Sequence, residues 1–305
     1  MAAGPPDLAR RVRRFAAEGG AAPGDAALDQ LLWGLAQVGR GARLLATDRA
    51  LLRAAALPTA LTLGGAAALA ALLASQHEGH LLDGAFALFV AISSMPPSIL
   101  WRQWVRVGLE ARRAAGAPPG EEERPGEPYL RVLLREGVKT LRQGALVAFG
   151  LLPVAAVVEL VPWVGHWVTV AVGAAWAWYW VVLDALEIPV ELRPGKLDTG
   201  PPTWFERALG AAGARSRWLL PLSAAGRLSG RLARPWRHEA ALTERHPWTS
   251  AGFALAAVAF LALPVVGVFF RAVAIAAATL LVVDGEARAA GPGSVDGPAE
   301  PPPAG

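Results

Sequence analysis

The chain has 305 residues, 54% of them hydrophobic, and a formal net charge of +4. It contains no cysteine, which excludes disulfides, thiol catalysis and thiolate metal sites. The charge is too small, and the basic residues too little mixed with aromatic ones, for a nucleic-acid-binding protein. Because the apolar residues are gathered in blocks, the composition predicts an all-α integral membrane protein with about six membrane-embedded helical segments.

The first part of the chain leads into the membrane. Residues 1–30 form a basic N-terminal segment, which we predict to lie at the membrane surface because no apolar core of a signal peptide follows its arginines. The membrane domain is predicted to cover residues 31–284. It opens with an amphipathic stretch, Leu31–Arg53, and the first two predicted spans are Ala54–Gln76 and Gly84–Trp101.

A linker and an amphipathic segment follow. Residues 115–129 are acidic and rich in proline and glycine, so this linker is predicted to be exposed and flexible. Leu130–Arg142 then places basic residues on one helical face and leucines on another. The basic residues are Arg131, Arg135, Lys139 and Arg142. This pattern is typical of a helix that lies in the membrane interface.

Two helical hairpins share the motif Pro-x-Val-Gly. In the first hairpin, the arms Ala145–Val161 and Gly165–Asp184 meet at a turn that runs from Pro162 to Gly165. In the second, which covers Ser250–Asp284, the predicted turn runs from Pro264 to Gly267. The two are interpreted either as a structural repeat with a site between its halves, or as two turns that proline and glycine mark independently.

The second hairpin is short for a membrane-spanning unit. Its first arm, Ser250–Leu263, reaches only about 21 Å as a helix, which is less than the hydrocarbon core of a bilayer. The hairpin therefore either penetrates the membrane in part or crosses it with help from the flanking Trp248. In the first case its backbone must be satisfied by protein or by a water-filled cavity.

Charge distribution predicts the topology. Residues 185–249 are basic and are predicted to be cytoplasmic or interfacial, whereas residues 285–305 are predicted to be a disordered tail. Every lysine and arginine except Arg271 lies on one side of the membrane if the spans alternate from an internal N-terminus. The positive-inside rule then places both termini in the cytoplasm. The bias towards Ala, Gly, Pro and Arg indicates a bacterial protein, so we expect a multi-pass protein of the bacterial inner membrane.

Few ionisable residues lie within the predicted spans. Glu159 precedes the first turn and Arg271 follows the second. A charge at membrane depth usually faces a partner or a pathway, so one interpretation is an intramembrane ion pair between Glu159 and Arg271, or snorkelling of both to the outer interface. The other is that Arg271 attracts an oxyanion such as sulfate, which suits a guanidinium group. Asp184 and Asp284, at the ends of the returning arms, are interpreted as interfacial end groups.

Motifs of enzymes and metal sites are absent from the sequence. It has no P-loop, no His-Glu-x-x-His and no Gly-x-Ser-x-Gly. His77 and His80 lie on a short connector, where a solvated loop is favoured over a metal site. We therefore predict no catalytic residues, no metal and no cofactor.

Three stretches carry a resemblance to a known family. They are Trp33-Gly34-Leu35 with the residues up to Pro58, Leu160-Val161-Pro162-Trp163-Val164-Gly165 with the arm that follows, and Gly252-Phe253-Ala254 with the residues up to Leu281. Together they resemble the CysZ and etoposide-induced membrane protein family of sulfate-permease-like proteins. The resemblance implies an all-helical membrane protein with partly penetrating helix pairs, and sulfate uptake as the activity. It also makes Gly252 and Phe253 candidate substrate contacts beside Arg271.

The function expected from these features is a membrane permease or channel for a small inorganic anion, with sulfate as the first candidate. The alternative is a non-transporting membrane scaffold or interaction protein, whose basic cytoplasmic surface binds lipids or a partner. Membrane lipids are partners in both cases. The sequence leaves the oligomeric state open, including a homo-oligomer.

Overall fold

The computed structural model describes residues 26–74, 100–120, 126–152, 161–193, 200–215, 220–261 and 264–290, together with residues 12, 15 and 159. In this part of the chain all regular structure is helical, which confirms the all-α class. The α-helices are α1 Ala27–Thr47, α2 Arg49–Ala74, α3 Trp101–Ala114, α4 Tyr129–Leu146, α5 Gly165–Glu191, α6 Trp204–Arg215, α7 Leu220–Ala233, α8 Arg237–Arg245, α9 Pro247–Leu261 and α10 Pro264–Ala290. A π-helical turn, Val147–Leu151, continues α4, and a 3-10 turn, Arg234–Trp236, leads into α8.

Helix α10 lies at the centre of the bundle. It packs against α1, α2, α3, α5 and α9, and its residues from Ala274 to Leu280 are all buried. Because most of these side chains are alanines, neighbouring helices approach the α10 backbone closely. The buried Thr279 donates its hydroxyl to the carbonyl oxygen of Ile275 at 2.8 Å, so the hydroxyl is satisfied within the helix.

Helices α1 and α9 cross at two glycines. A Cβ atom added to Gly34 would lie 2.0 Å from the carbonyl oxygen of Thr249, and one added to Gly252 would lie 1.9 Å from that of Leu31. No real side chain tolerates such distances, so the two backbones touch only because both positions lack a side chain. Phe253, the next residue along α9, is fully buried beside this crossing.

Helix α1 also touches α10 at a glycine. A Cβ atom at Gly41 would lie 2.7 Å from the backbone nitrogen of Ala277. The amphipathic stretch Leu31–Arg53 is therefore more than an approach to the membrane, since its first part is wedged between α9 and α10. The side chains of Leu32, Trp33 and Val38 are buried in these contacts.

Within the described residues, three helical segments are long and apolar enough to cross a membrane. They are Arg49–Ala68 in α2, Gly165–Glu191 in α5 and Gly267–Ala287 in α10. These segments are compatible with a membrane protein, and the prediction of about six membrane-embedded segments is not confirmed. The second predicted span, Gly84–Trp101, lies almost entirely outside the described residues, and so do residues 1–25 except for residues 12 and 15.

The two Pro-x-Val-Gly motifs adopt different structures. Residues Pro162 to Val164 form the expected turn, in which Trp163 has a positive φ of 67° and its side chain is 95% exposed. By contrast, Pro264–Gly267 is the first turn of α10. Proline is tolerated there because the first N–H groups of a helix have no intrahelical acceptor. The predicted turn at Pro264–Gly267 is therefore wrong, and residues 262 and 263, which precede it, lie outside the described residues.

Helix α9 is short, as the sequence predicts. It covers 15 residues from Pro247 to Leu261, which corresponds to about 22 Å at 1.5 Å per residue. A bilayer core is about 30 Å thick, so this arm alone does not bridge it. Its partner α10 has 27 residues and continues past Asp284, the predicted end of the membrane domain, to Ala290.

Helix α4 carries its apolar residues on the outside. Exposed apolar side chains at helical spacing form one stripe, which consists of Leu130, Leu134, Val138 and Leu141. On the opposite side, Arg135 and Lys139 point into the bundle and pair with carboxylates of α5. An exposed apolar stripe of this kind is stable when an apolar medium covers it, so α4 fits a position between lipid and a polar interior.

The segment 185–249 is largely helical in its described part. It contains the end of α5 and helices α6, α7 and α8. An aromatic cluster joins these helices to α5, because Trp180 packs against Trp236 with a ring separation of 5.0 Å, and Phe205 lies beside them. The basic segment is thus attached to the membrane domain by apolar contacts.

Candidate ion-binding site

Arg271 lies inside the apolar bundle on α10. Its guanidinium carbon is 6.0 Å from the ring centre of Trp104 on α3, within reach of a cation–π contact. It interacts electrostatically with Asp184 on α5. The side chain is neither fully buried nor fully exposed. The charge that the sequence singled out is thus placed between three helices, with an aromatic face on one side and a carboxylate nearby.

Asp184 differs from its neighbours on α5. It is exposed, although every other residue from Val182 to Val190 is buried. The interpretation of Asp184 as an interfacial end group is therefore refined, because it is the counter-charge of Arg271.

A second group of charges continues from Asp184 towards α4. Lys139 donates to Glu187 at 2.7 Å and pairs with Glu136 at 3.2 Å. Arg135, one turn earlier, lies 3.1 Å from Glu136 and 3.9 Å from Glu191. Both cations also lie over the ring of Trp101, at 5.2 Å for Lys139 and 5.9 Å for Arg135. We call Asp184, Arg271 and these residues of α4 and α5 the charge network.

Carboxylates keep the two basic groups of α4 charged. Burial by itself lowers the pKa of Lys139, but Glu187, Glu191 and Glu136 outweigh it and raise the pKa well above the usual lysine value. For Arg135, too, burial opposes the charge, and Glu191, Glu136 and Glu127 together raise the pKa. Lys139 and Arg135 are thus charged at neutral pH, and the acidic members of the charge network outnumber its basic ones.

Lys139 provides a direct test of the network. Replacing it by methionine should destabilise the protein by about 2 kcal/mol, because Glu136 and Glu187 are left side by side in a largely buried site. Combining Lys139→Met with Glu187→Gln should recover part of the lost stability. Thermal unfolding of the wild type, the two single variants and the double variant would show this recovery as a coupling energy between the two positions. Arg131→Met, at an exposed position of the same helix, is the control and should change little.

The raised pKa of Lys139 also fixes a pH dependence. A group whose pKa is higher in the folded than in the unfolded state stabilises the folded protein. This contribution is complete below the pKa of the unfolded state and is lost as the pH rises through the pKa of the folded state. The contribution of Lys139 should therefore be constant from neutral pH to about pH 10, the ordinary lysine range. Wild type and Lys139→Met should differ by the same amount in melting experiments at pH 7 and pH 9; a difference that disappears by pH 9 would contradict the assignment.

The other candidate residues lie elsewhere. Glu159 is exposed and its carboxylate is 3.4 Å from the Nδ1 atom of His166, beside the Pro162 turn. The structure thus gives Glu159 and Arg271 different partners, in place of the ion pair that the sequence suggested. Gly252 and Phe253 are part of the packed crossing of α1 and α9.

Asp284 has a partner at the end of α10. Its carboxylate accepts a hydrogen bond from Arg40 of α1 at 2.8 Å. Nearby, Glu286 binds Arg112 of α3 and Arg193, which follows α5. This group of ion pairs, the α10 clamp, ties three other parts of the bundle to the last turns of the central helix.

Sequence reasoning missed Glu136 and Glu187, and it placed Lys139 only on a basic helical face. A signal was present, since Asp184, Glu187 and Glu191 are three and four residues apart and lie on one helical face. The same is true of Glu136 and Lys139, three residues apart on α4. In the described residues no group of three or more His, Asp or Glu side chains is placed to hold a metal ion.

Comparison with known proteins adds no family to this picture. No family model matches the chain, and neither does any curated protein or solved structure. The resemblance to sulfate-permease-like proteins thus depends on the short stretches in which it was seen.

Proposed function

We propose that the protein is a membrane permease for a small inorganic anion, with sulfate as the first candidate. One observation carries the proposal: Arg271, the only Lys or Arg within the apolar part of the second hairpin, interacts with Asp184, an exposed carboxylate on the neighbouring α5. Ionisable groups at membrane depth are costly and are commonly found where an ion passes. The sequence resemblance supplies the choice of sulfate.

Binding would be a competition between two anions. The guanidinium carbon of Arg271 lies over the ring of Trp104 at 6.0 Å, and the N–H groups of a guanidinium bind either a carboxylate or an oxyanion. A sulfate ion that reaches Arg271 would replace Asp184 as its counter-ion. When the ion leaves, Asp184 would compensate Arg271 again, so the cation never remains without a negative charge in the membrane.

Flux of radioactive sulfate into proteoliposomes tests the proposal. Wild-type protein should exceed empty vesicles, and Arg271→Ala should reduce the flux about tenfold or more, because a bidentate charge-assisted contact is lost. Asp184→Asn should instead lower the sulfate KM, since the competing carboxylate is gone. Arg113→Ala, an exposed arginine of α3 outside the charge network, is the control.

The outcomes separate two conclusions. Wild-type flux no higher than that of empty vesicles would exclude the permease and favour the alternative, a membrane scaffold that binds a protein or lipid partner. In the scaffold, the ion pairs of the charge network would only hold α4 and α5 together. Equal flux in wild type and Arg271→Ala, with both forms folded, would exclude only the role of Arg271.

We also propose an inner-membrane location in bacteria with the Pro162 turn outside and helices α6 to α8 in the cytoplasm. The chain has no native cysteine, so single cysteines report on topology without background. Trp163→Cys, at the exposed turn, should react with a membrane-impermeant maleimide in intact cells. Arg245→Cys, at the exposed end of α8, should react only after permeabilisation. The reverse labelling pattern would overturn the orientation.

A further inference from the structure

A cavity outside the charge network lies where α9 begins. It has a volume of about 260 Å³ and is bounded by α5, α6, α8 and α9. Small-molecule sites commonly start near 300 Å³, so the cavity suits a small organic ion or a lipid headgroup better than a large cofactor. Pro247, at its edge, marks the change from the basic segment to the apolar arm, which places the cavity at headgroup depth.

Three aromatic residues form part of the cavity wall. Trp178 and Tyr179 come from α5, and Trp204 is the first residue of α6. The polar groups are one carboxylate, Glu244, and hydroxyls such as that of Ser250. Among the described residues that line the cavity, none is a lysine or an arginine. Ring faces are negative and attract cations, most strongly when several surround an ammonium group.

Glu244 holds the aromatic walls in place. Its Oε1 atom accepts a hydrogen bond from the backbone N–H of Trp204 at 2.8 Å and a longer one from the hydroxyl of Tyr179 at 3.5 Å. Its Oε2 atom accepts from Arg207 at 2.7 Å. Glu244 is therefore a positioning residue, and because Arg207 offsets its charge, most of the attraction for a cation comes from the rings.

We propose that this cavity binds an organic ammonium group, of the kind found in choline and in the phosphocholine headgroup of a lipid. The rings of Trp178, Tyr179 and Trp204 would surround the methylated nitrogen, and the small residues at the start of α9 leave room for its methyl groups. The proposal is independent of anion transport, since the cavity lining includes neither Arg271 nor Asp184.

Calorimetric titration of the whole purified protein tests the proposal, in a detergent that contains no choline group. Choline chloride is the free probe and sodium chloride its ionic control; dihexanoyl phosphocholine and dihexanoyl phosphoglycerol lipids are the lipid pair. Saturable binding of choline or of the phosphocholine lipid is expected, and which of the two binds tells the free ion from the lipid as the source. Because ring faces dominate, raising the salt concentration should weaken binding only slightly.

Two exposed tryptophans form a matched pair of variants. Trp204→Ala should weaken binding about tenfold, whereas Trp248→Ala, on the first turn of α9 but outside the cavity lining, should not change it. Trp204→Phe should retain part of the affinity, which guards against loss through misfolding. The proposal is overturned if neither probe binds saturably, if the phosphoglycerol lipid binds as tightly as the phosphocholine lipid, or if both alanine variants weaken binding equally.

Discussion

Gly252→Ala should destabilise the protein by about 3 kcal/mol, although it adds a single methyl group to a helix. The new Cβ atom would lie 1.9 Å from the carbonyl oxygen of Leu31 and 3.0 Å from the backbone nitrogen of Leu35. Backbone atoms cannot rotate away as a side chain does, so α1 and α9 would have to separate along their crossing. The fully buried Phe253 would lose contacts at the same time.

Gly173→Ala is the matched control for this change. Gly173 also lies within a predominantly apolar helix, α5, but nothing lies within 4 Å of the position where its Cβ would be. There the substitution should stabilise by about 0.5–1 kcal/mol, because alanine is the better helix former. Thermal unfolding in detergent should thus give opposite signs for the two variants. A Gly252→Ala protein that melts like Gly173→Ala would show that α1 and α9 do not touch as the structure has them.

The glycine crossing illustrates what the sequence conveys and what it does not. Gly252 and Phe253 were singled out from the sequence as substrate contacts, whereas they lie where α1 packs on α9. Small residues in apolar helices mark close packing as often as a binding site, and only the position of the opposite helix separates the two. That helix, α1, contains Gln37, Arg40 and Arg43, so its composition indicated the membrane surface.

For the charged residues, too, the sequence predicts one part of the arrangement and not the other. The hydropathy of the sequence is enough to single out Arg271 as a charge within an apolar segment. The carboxylate that faces Arg271 cannot be predicted in the same way, because it depends on how far α5 and α10 are shifted along each other, and no local sequence pattern determines that shift. Glu159 is close to its turn in sequence but pairs locally with His166, whereas Asp184 lies at the far end of α5 and meets Arg271.

The two Pro-x-Val-Gly arms form helices of equal length but in different environments. Both α5 and α10 have 27 residues, which agrees with the similar sequences of the two arms. Most of the apolar segment of α10 is buried, whereas α5 leaves Val168, Val170 and Val172 exposed. A helix that is apolar on all sides carries no information about which neighbours cover it, so the sequence could predict the two helices but not their places.

Glu286→Gln should lower the free energy of unfolding by about 3–5 kcal/mol, more than any of the other substitutions of charged residues. Arg112 is 0% exposed and donates to both oxygens of Glu286, at 3.2 and 2.9 Å. Removal of the acid leaves a buried guanidinium without its carboxylate, and a buried charge that has lost its partner is far more costly than an exposed one. The α10 clamp would then hold only through Arg40 and Asp284.

A second substitution separates this cause from a general loss of packing. Arg112→Met removes the buried charge at similar volume, so the double variant Arg112→Met/Glu286→Gln should be more stable than Glu286→Gln alone. Arg113→Ala, the next residue of α3, should change little, because its ion pair with Asp48 is largely exposed to solvent. If the double variant is instead less stable than Glu286→Gln, then Arg112 stabilises α3 through its packing. The loss in Glu286→Gln would then not result from an unpaired charge on Arg112.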